Sequence, residues 1–227
     1  MAETPVTDRP LRIAVVLSGC GVYDGAEIHE AVCTLLAISR AGAEAVCFAP
    51  DVPQAHVVNH LTGEEAAETR NVLAESARIA RGKVADLATF DAAAVDALIF
   101  PGGFGAAKNL CDFAFKGADC TVNPDVETAV RAMRDAGKPI GALCIAPAIL
   151  ARLFGAEGVE LTIGSDAGTA AALESLGAKH SVTGHGGIVT DRRLKVVTSP
   201  CYMLDASLAQ IAEGAEKTVR ALIGLAR

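Results

Sequence analysis

Short apolar runs without alternation recur along the chain, separated by stretches with helical period and by glycine-rich corners. Residues 12–18 (RIAVVLS) form the first such run, the pattern of a strand covered by helices on both faces. A glycine-rich turn at 19–25 follows, and then a predicted helix over 26–41, with apolar residues at 28, 31, 32, 35, 36 and 38 and a stop at Gly42. Residues 44–50 (EAVCFAP) give a second strand, so the opening is a βαβ unit, which requires a parallel sheet and a right-handed crossover. Between 51 and 87 the pattern blurs. A turn at 59–63 and a helix over 69–79 are the readable pieces, and the region is expected to be an insertion near the site. Residues 96–100 (DALIF) form the next buried strand, closed by Pro101-Gly102-Gly103-Phe104-Gly105. After a cysteine-containing loop, the spacing predicts a helix over 124–136, with proline at its start and Gly137 at its end. An apolar run at 139–143 then meets a second helical pattern at Cys144. The remainder reads as a short strand at 161–164, a helix over 169–176, a hairpin of 188–190 with 194–198 around Asp191-Arg192-Arg193, and a closing helix over 204–225. The sum is a doubly wound α/β sheet in a single domain over 11–227, preceded by an N-terminal tail, 1–10.

Ligands of such sheets sit beyond the carboxyl ends of the strands. Four glycine-rich or polar corners fall there: 18–25, 101–105, 144–147 and 199–202. At the third, Gly141, Ala142 and Ala146 are small neighbours of the kind a sharp strand-to-helix turn needs if a nucleophile is to stand clear of the backbone. A helix starting at that point aims free N–H groups at the Cys144 sulfur and is expected to favour the thiolate. The alternative is a small buried thiol, the ordinary fate of a free cysteine. Glu30, about one turn into the first helix, can hold a hydrogen bond to that thiol and carry a proton; its alternative is a solvated helix charge. The main-chain N–H groups at Gly102 and Gly103, with that of Ile145, can form an oxyanion hole, worth about 3–4 kcal/mol per donor.

Composition removes several functions. The net charge of −7 and the lack of any Lys/Arg cluster argue against nucleic acid or an anionic membrane as partner, and 4% aromatic content without Trp gives little to stack bases on. No apolar run approaches the roughly 20 residues of a spanning helix. The seven cysteines include no C-x-x-C pair, and no secretory leader is read at the start; both predict reduced thiols and a cytoplasmic protein. In Gly19-x-Gly21, the third glycine of a dinucleotide fingerprint would fall at Asp24, whose charge repels a pyrophosphate. His29-Glu30-x-x-Cys33 offers two possible metal ligands one turn apart but no third. No metal and no organic cofactor are expected.

Three segments, 17–30 (LSGCGVYDGAEIHE), 101–109 (PGGFGAAKN) and 144–147 (CIAP), resemble the enhancing-lycopene-biosynthesis (ElbB-type) glyoxalase branch of the ThiJ/PfpI superfamily. The resemblance runs from about Arg12 to near the C-terminus. It implies a flavodoxin-like three-layer α/β/α sandwich with a mostly parallel sheet and a cysteine nucleophile elbow at Cys144. It also implies a carboxylate partner at Glu30, oxyanion donors at Gly103 and Ile145, a homodimer, and no cofactor. Many relatives carry a histidine directly after the nucleophile or on the strand that here reads 161–166; this chain has Ile145 and LTIGSD. A Cys144–Glu30 dyad remains, with His29 or His185 as candidate helpers. The expected activity is conversion of glyoxal or methylglyoxal to glycolate or lactate through a Cys144 hemithioacetal, with low turnover, in a protein linked to isoprenoid biosynthesis. Two other classes fit the same cysteine: a redox or electrophile sensor or binding module, and an amidotransferase or peptidase relative, against which the absent Cys-His pairing counts.

Overall fold

The computed structural model describes residues 9–227; of the expected tail over 1–10, positions 1–8 lie outside the described residues. The elements are β1 (Arg12–Val16), α1 (Ile28–Arg40), β2 (Glu44–Ala49), α2 (Val72–Ile79), β3 (Val84–Asp86), β4 (Ala97–Phe100), α3 (Phe113–Lys116), α4 (Pro124–Asp135), β5 (Ile140–Leu143), α5 (Pro147–Phe154), β6 (Glu160–Leu161), α6 (Ala167–Ser175), β7 (Lys179–His180), β8 (Val189–Asp191), β9 (Val196–Ser199) and α7 (Leu208–Ala226). Seven strands form one sheet in the order β3-β2-β1-β4-β5-β9-β8, parallel throughout except for the β8–β9 hairpin. The fold is the flavodoxin-like α/β sandwich expected from the sequence.

Period-two alternation places the two cores. Ala14 and Val16 of β1, Leu98 and Phe100 of β4, and Ile140 and Ala142 of β5 point to a layer filled by α4 and α5. Ile13 and Val15, Ala97 and Ile99, and Leu143 point the other way, onto α1 and α7. A strand buried on both faces has no polar positions to show, which is why these segments read as unbroken apolar runs. From β1 the chain builds outward through β2 to β3, then returns to the other side of β1 with β4. The order therefore reverses between β1 and β4, and crevices at such reversals are where these sheets take ligands.

Two expectations are corrected, and a third element buries a face that its apolar residues do not mark. Residues 51–87 are more than an insertion: they supply α2 and the edge strand β3, whose Val84, Ala85 and Asp86 pair with Cys47, Phe48 and Ala49. The strand expected at 161–164 is a two-residue strand, β6, that pairs with β7 in a separate small sheet. The apolar positions of α1 do not face the core as a stripe. The helix buries Glu30, Ala31, Thr34, Ala37 and Ile38, and it leaves Ile28, Val32 and Leu36 more than two-fifths exposed.

Candidate active site

Cys144 sits one residue past β5 and has φ = +57°, in the left-handed region. A non-glycine residue there costs about 1–2 kcal/mol, and the neighbours enforce it. The Cys144 N–H donates to Ser199 O at 2.9 Å, continuing the β5–β9 ladder, while Ala146 caps α5 and Pro147 takes its first position. The side chain thereby leaves the sheet on the α1/α7 side and is 7% exposed.

Glu30 comes to the same point from α1 and is fully buried. Its Oε2 accepts from Gly102 N–H at 2.8 Å, its Oε1 from Tyr202 N–H at 3.1 Å, and its carboxyl lies beside the Cys144 thiol. Glu27 caps α1, accepting from Glu30 N–H at 2.7 Å, and its own N–H donates to Gly102 O at 2.9 Å. The loop after β4 is thus stitched directly to the helix carrying the carboxylate. Gly102 lies where a Cβ would stand 2.3 Å from Cys144 Cβ and 2.6 Å from Glu30 Oε2. At Gly103, φ is +94° and a Cβ would stand 2.4 Å from Glu27 N. The N–H groups of Gly103 and Ile145 both reach the sulfur, and among the described residues neither has a backbone acceptor.

Electrostatics revises the expectation of a thiolate. Burial pushes the Cys144 thiol well up, the Glu30 charge pushes it further, and the donors at Gly103 and Ile145 offset only part of this. Burial likewise raises Glu30 to about 8; the Tyr202 N–H is the strongest influence lowering it, followed by Gly102 N–H, while the Glu27 charge raises it. Two anions side by side in a dry site are strongly disfavoured, so at neutral pH Glu30 holds its proton and the pair is uncharged. An eight-residue helix and two N–H groups do not overcome that desolvation.

Of the sequence-designated residues, Cys144, Glu30, Gly103 and Ile145 converge. His29 does not reach the pair; its Nδ1 is 2.9 Å from Tyr202 Oη at the exposed mouth. His185 is exposed in the loop before β8. In the sequence Tyr202 is visible only as part of the corner at 199–202, because a main-chain donor carries no side-chain signature. Asn109 stood in the second motif without a role. It is buried, donates to Ser18 O and Asp24 O at 2.9 Å each, and accepts from Ala55 N–H at 2.9 Å, tying the turn after β1 to the segment covering it.

Comparison with known proteins gives the family. The chain is 52% identical over 224 residues to the human glutamine amidotransferase-like class 1 domain-containing protein 3, mitochondrial, covering 94% of this chain and 83% of that one. This chain is a member of that amidotransferase-like family. The rat ES1 protein homolog, mitochondrial, shares 52% identity over 94% of the chain and 84% of its own length. Among solved structures, an isoprenoid biosynthesis protein with amidotransferase-like domain from Ehrlichia chaffeensis superposes with a TM-score of 0.87, at 36% identity, covering 94% of this chain and 99% of that one. Drosophila melanogaster DJ-1beta, at 18% identity with a TM-score of 0.55 over 96% of both chains, shares the fold. No family model matches the chain. The expectation of a cytoplasmic protein is overturned: the human and rat relatives are both named mitochondrial, and reduced, unpaired cysteines do not distinguish the two compartments.

Proposed function

We propose that the chain is a cofactor-independent glyoxalase of the ElbB type, acting on glyoxal or methylglyoxal. The observation that carries this reading is the buried Cys144–Glu30 pair lying under two unshared main-chain N–H groups. In its ionised form Glu30 takes the thiol proton as sulfur adds to the aldehyde carbon; the oxygen that gains charge takes the N–H bonds of Gly103 and Ile145 and then that proton, leaving a hemithioacetal and an ionised Glu30. Glu30 removes the proton from that carbon and returns it to the adjacent carbonyl carbon through an enediol, so one carbon is oxidised and its neighbour reduced with no external oxidant. Water then cleaves the thioester: methylglyoxal plus water gives lactate, and glyoxal plus water gives glycolate. A carboxyl titrating near 8 suits this relay, since it can give and take a proton near neutral pH.

A sensor cysteine needs a low-pKa, accessible thiol, and Cys144 is neither. Acyl transfer of the amidotransferase kind commonly uses a histidine beside the nucleophile to draw the proton from sulfur and pass it to the leaving amine, and His29 is turned toward Tyr202. The link to isoprenoid metabolism draws on the name of the Ehrlichia chaffeensis protein. A homodimer, expected from the resemblance, belongs to the same proposal; a monomer by sedimentation velocity at micromolar concentration would remove it. The test of the reaction is turnover of glyoxal and methylglyoxal by the wild type and by Cys144→Ser. Multiple turnovers, lost in the variant, are expected, and full activity in Cys144→Ser would refute it.

A further inference from the structure

Tyr202 touches α1 twice. Its main-chain N–H donates to Glu30 Oε1 at 3.1 Å, and its phenol oxygen lies 2.9 Å from His29 Nδ1, with the two rings tilted at 47° and 5.9 Å apart. Consecutive residues of one helix are therefore gripped by the main chain and the side chain of a single residue arriving from the β9–α7 connection. That connection is a short turn, Cys201–Met203, whose first residue has φ = +40°. A surface hydrogen bond to a half-exposed histidine contributes little to global stability. Here it fixes the one side chain whose backbone holds a buried catalytic carboxyl.

We propose that His29 and Tyr202 form a positioning latch for Glu30: the side-chain bond keeps the Tyr202 N–H seated on Oε1 and thereby sets the carboxyl's proton affinity. Neither residue is assigned contact with substrate. The titratable groups facing Glu30 are Glu27 and Cys33 from α1, Cys144 from the β5–α5 corner, and Cys201 and Tyr202 itself from the β9–α7 connection; the loop after β4 contributes only the Gly102 N–H. Of the two N–H donors on the carboxylate, only the Tyr202 one is tethered through a side chain. Loosening it withdraws stabilisation from the ionised form, so Glu30 must titrate at higher pH.

The turnover readout rests on the glyoxalase proposal, so the test uses a second readout that does not. The pH dependence of iodoacetamide alkylation at Cys144, resolved by peptide mass spectrometry, reports the pair's charge directly. Wild type, Tyr202→Phe, His29→Ala, His29→Gln and the Tyr202→Phe/His29→Ala double variant are compared. In both alkylation and turnover, the two single variants are expected to move the Glu30-linked inflection upward by about half to one pH unit. They are also expected to lower kcat several-fold with KM held within about twofold. The double variant is expected to match either single variant, and His29→Gln, which retains a polar partner, to recover the wild-type inflection. An unmoved inflection, or effects that add in the double variant, overturns the latch. Should Tyr202→Phe fail to fold, His29→Ala at its exposed position carries the test alone. Wild type without turnover but with a movable inflection sinks the reaction and keeps the latch; turnover with an immovable inflection does the reverse.

Discussion

A carboxyl held protonated inside the fold costs stability as pH rises, and Glu30 makes that cost measurable. In the unfolded chain it titrates near 4.5, in the folded chain near 8, chiefly because it is fully buried. The folded state therefore binds the extra proton, so the stability present below pH 4.5 is lost as pH rises through 8. The displacement, at about 1.4 kcal/mol per unit, corresponds to about 5 kcal/mol across the window, an upper figure because local relaxation admits water. Glu30→Gln keeps the shape and has no proton to lose; its single amide oxygen accepts from one of the two N–H donors and its NH2 faces the other, a cost that is the same at every pH. Urea unfolding from pH 5 to 8 is the assay; it stops at 8 because all seven thiols are shifted upward and add their own dependence above that. The difference in unfolding free energy between Glu30→Gln and wild type is expected to grow by several kcal/mol in the variant's favour from pH 5 to 8. Turnover in the same variant is expected to fall by about 10²- to 10⁴-fold. A difference that stays flat with pH would refute the buried, proton-holding role of Glu30.

Gly102→Ala places a Cβ 2.3 Å from Cys144 Cβ and 2.9 Å from Leu143 O, so turnover and Cys144 alkylation should both change sharply, with a melting temperature lowered by several degrees. Cys144→Gly should relieve the left-handed strain while removing a buried side chain and loosening the unfolded chain, so unfolding free energy in denaturant titration should change by less than about 1 kcal/mol; a loss above about 2 kcal/mol would contradict the strain assignment. On α1, Val32→Gln should shift stability by less than about 0.5 kcal/mol, whereas Ala31→Leu should cost about 1–3 kcal/mol by overpacking; the reverse order in thermal melts would mean the helix face is wrongly assigned.

The sequence shows most of the sheet because β1, β4 and β5 are buried on both faces and appear as uninterrupted apolar runs between glycines. It hides β3, whose three residues lie on an edge and include Asp86, and it misleads on α1. A helix is read by assuming that apolar residues face inward, yet α1 turns Glu30 and Thr34 inward because the site and the packing against α7 require it. The Cys144 corner is legible because its geometry demands small neighbours in a row. The charge state of Cys144 is not, since desolvation by distant chain segments decides it. Tyr202 reaches Glu30 through its main-chain N–H, which no side-chain pattern announces, and the Asn109 amide takes main-chain partners at Ser18, Asp24 and Ala55 that spacing along the chain does not bring together.

The bond between Tyr202 and Glu30 spans 172 positions of the chain, and it closes a centre already built from the loop after β4 and the corner after β5. Few contacts of this centre are local, so no isolated hairpin or βαβ unit can hold it. During synthesis, the cysteine and its acid partner stay apart from their last donor until the segment at 202 has emerged and docked. A Glu30-linked inflection in Cys144 alkylation thus doubles as a late checkpoint of maturation: a chain stalled before β9 joins the sheet carries the residues of the centre without its chemistry.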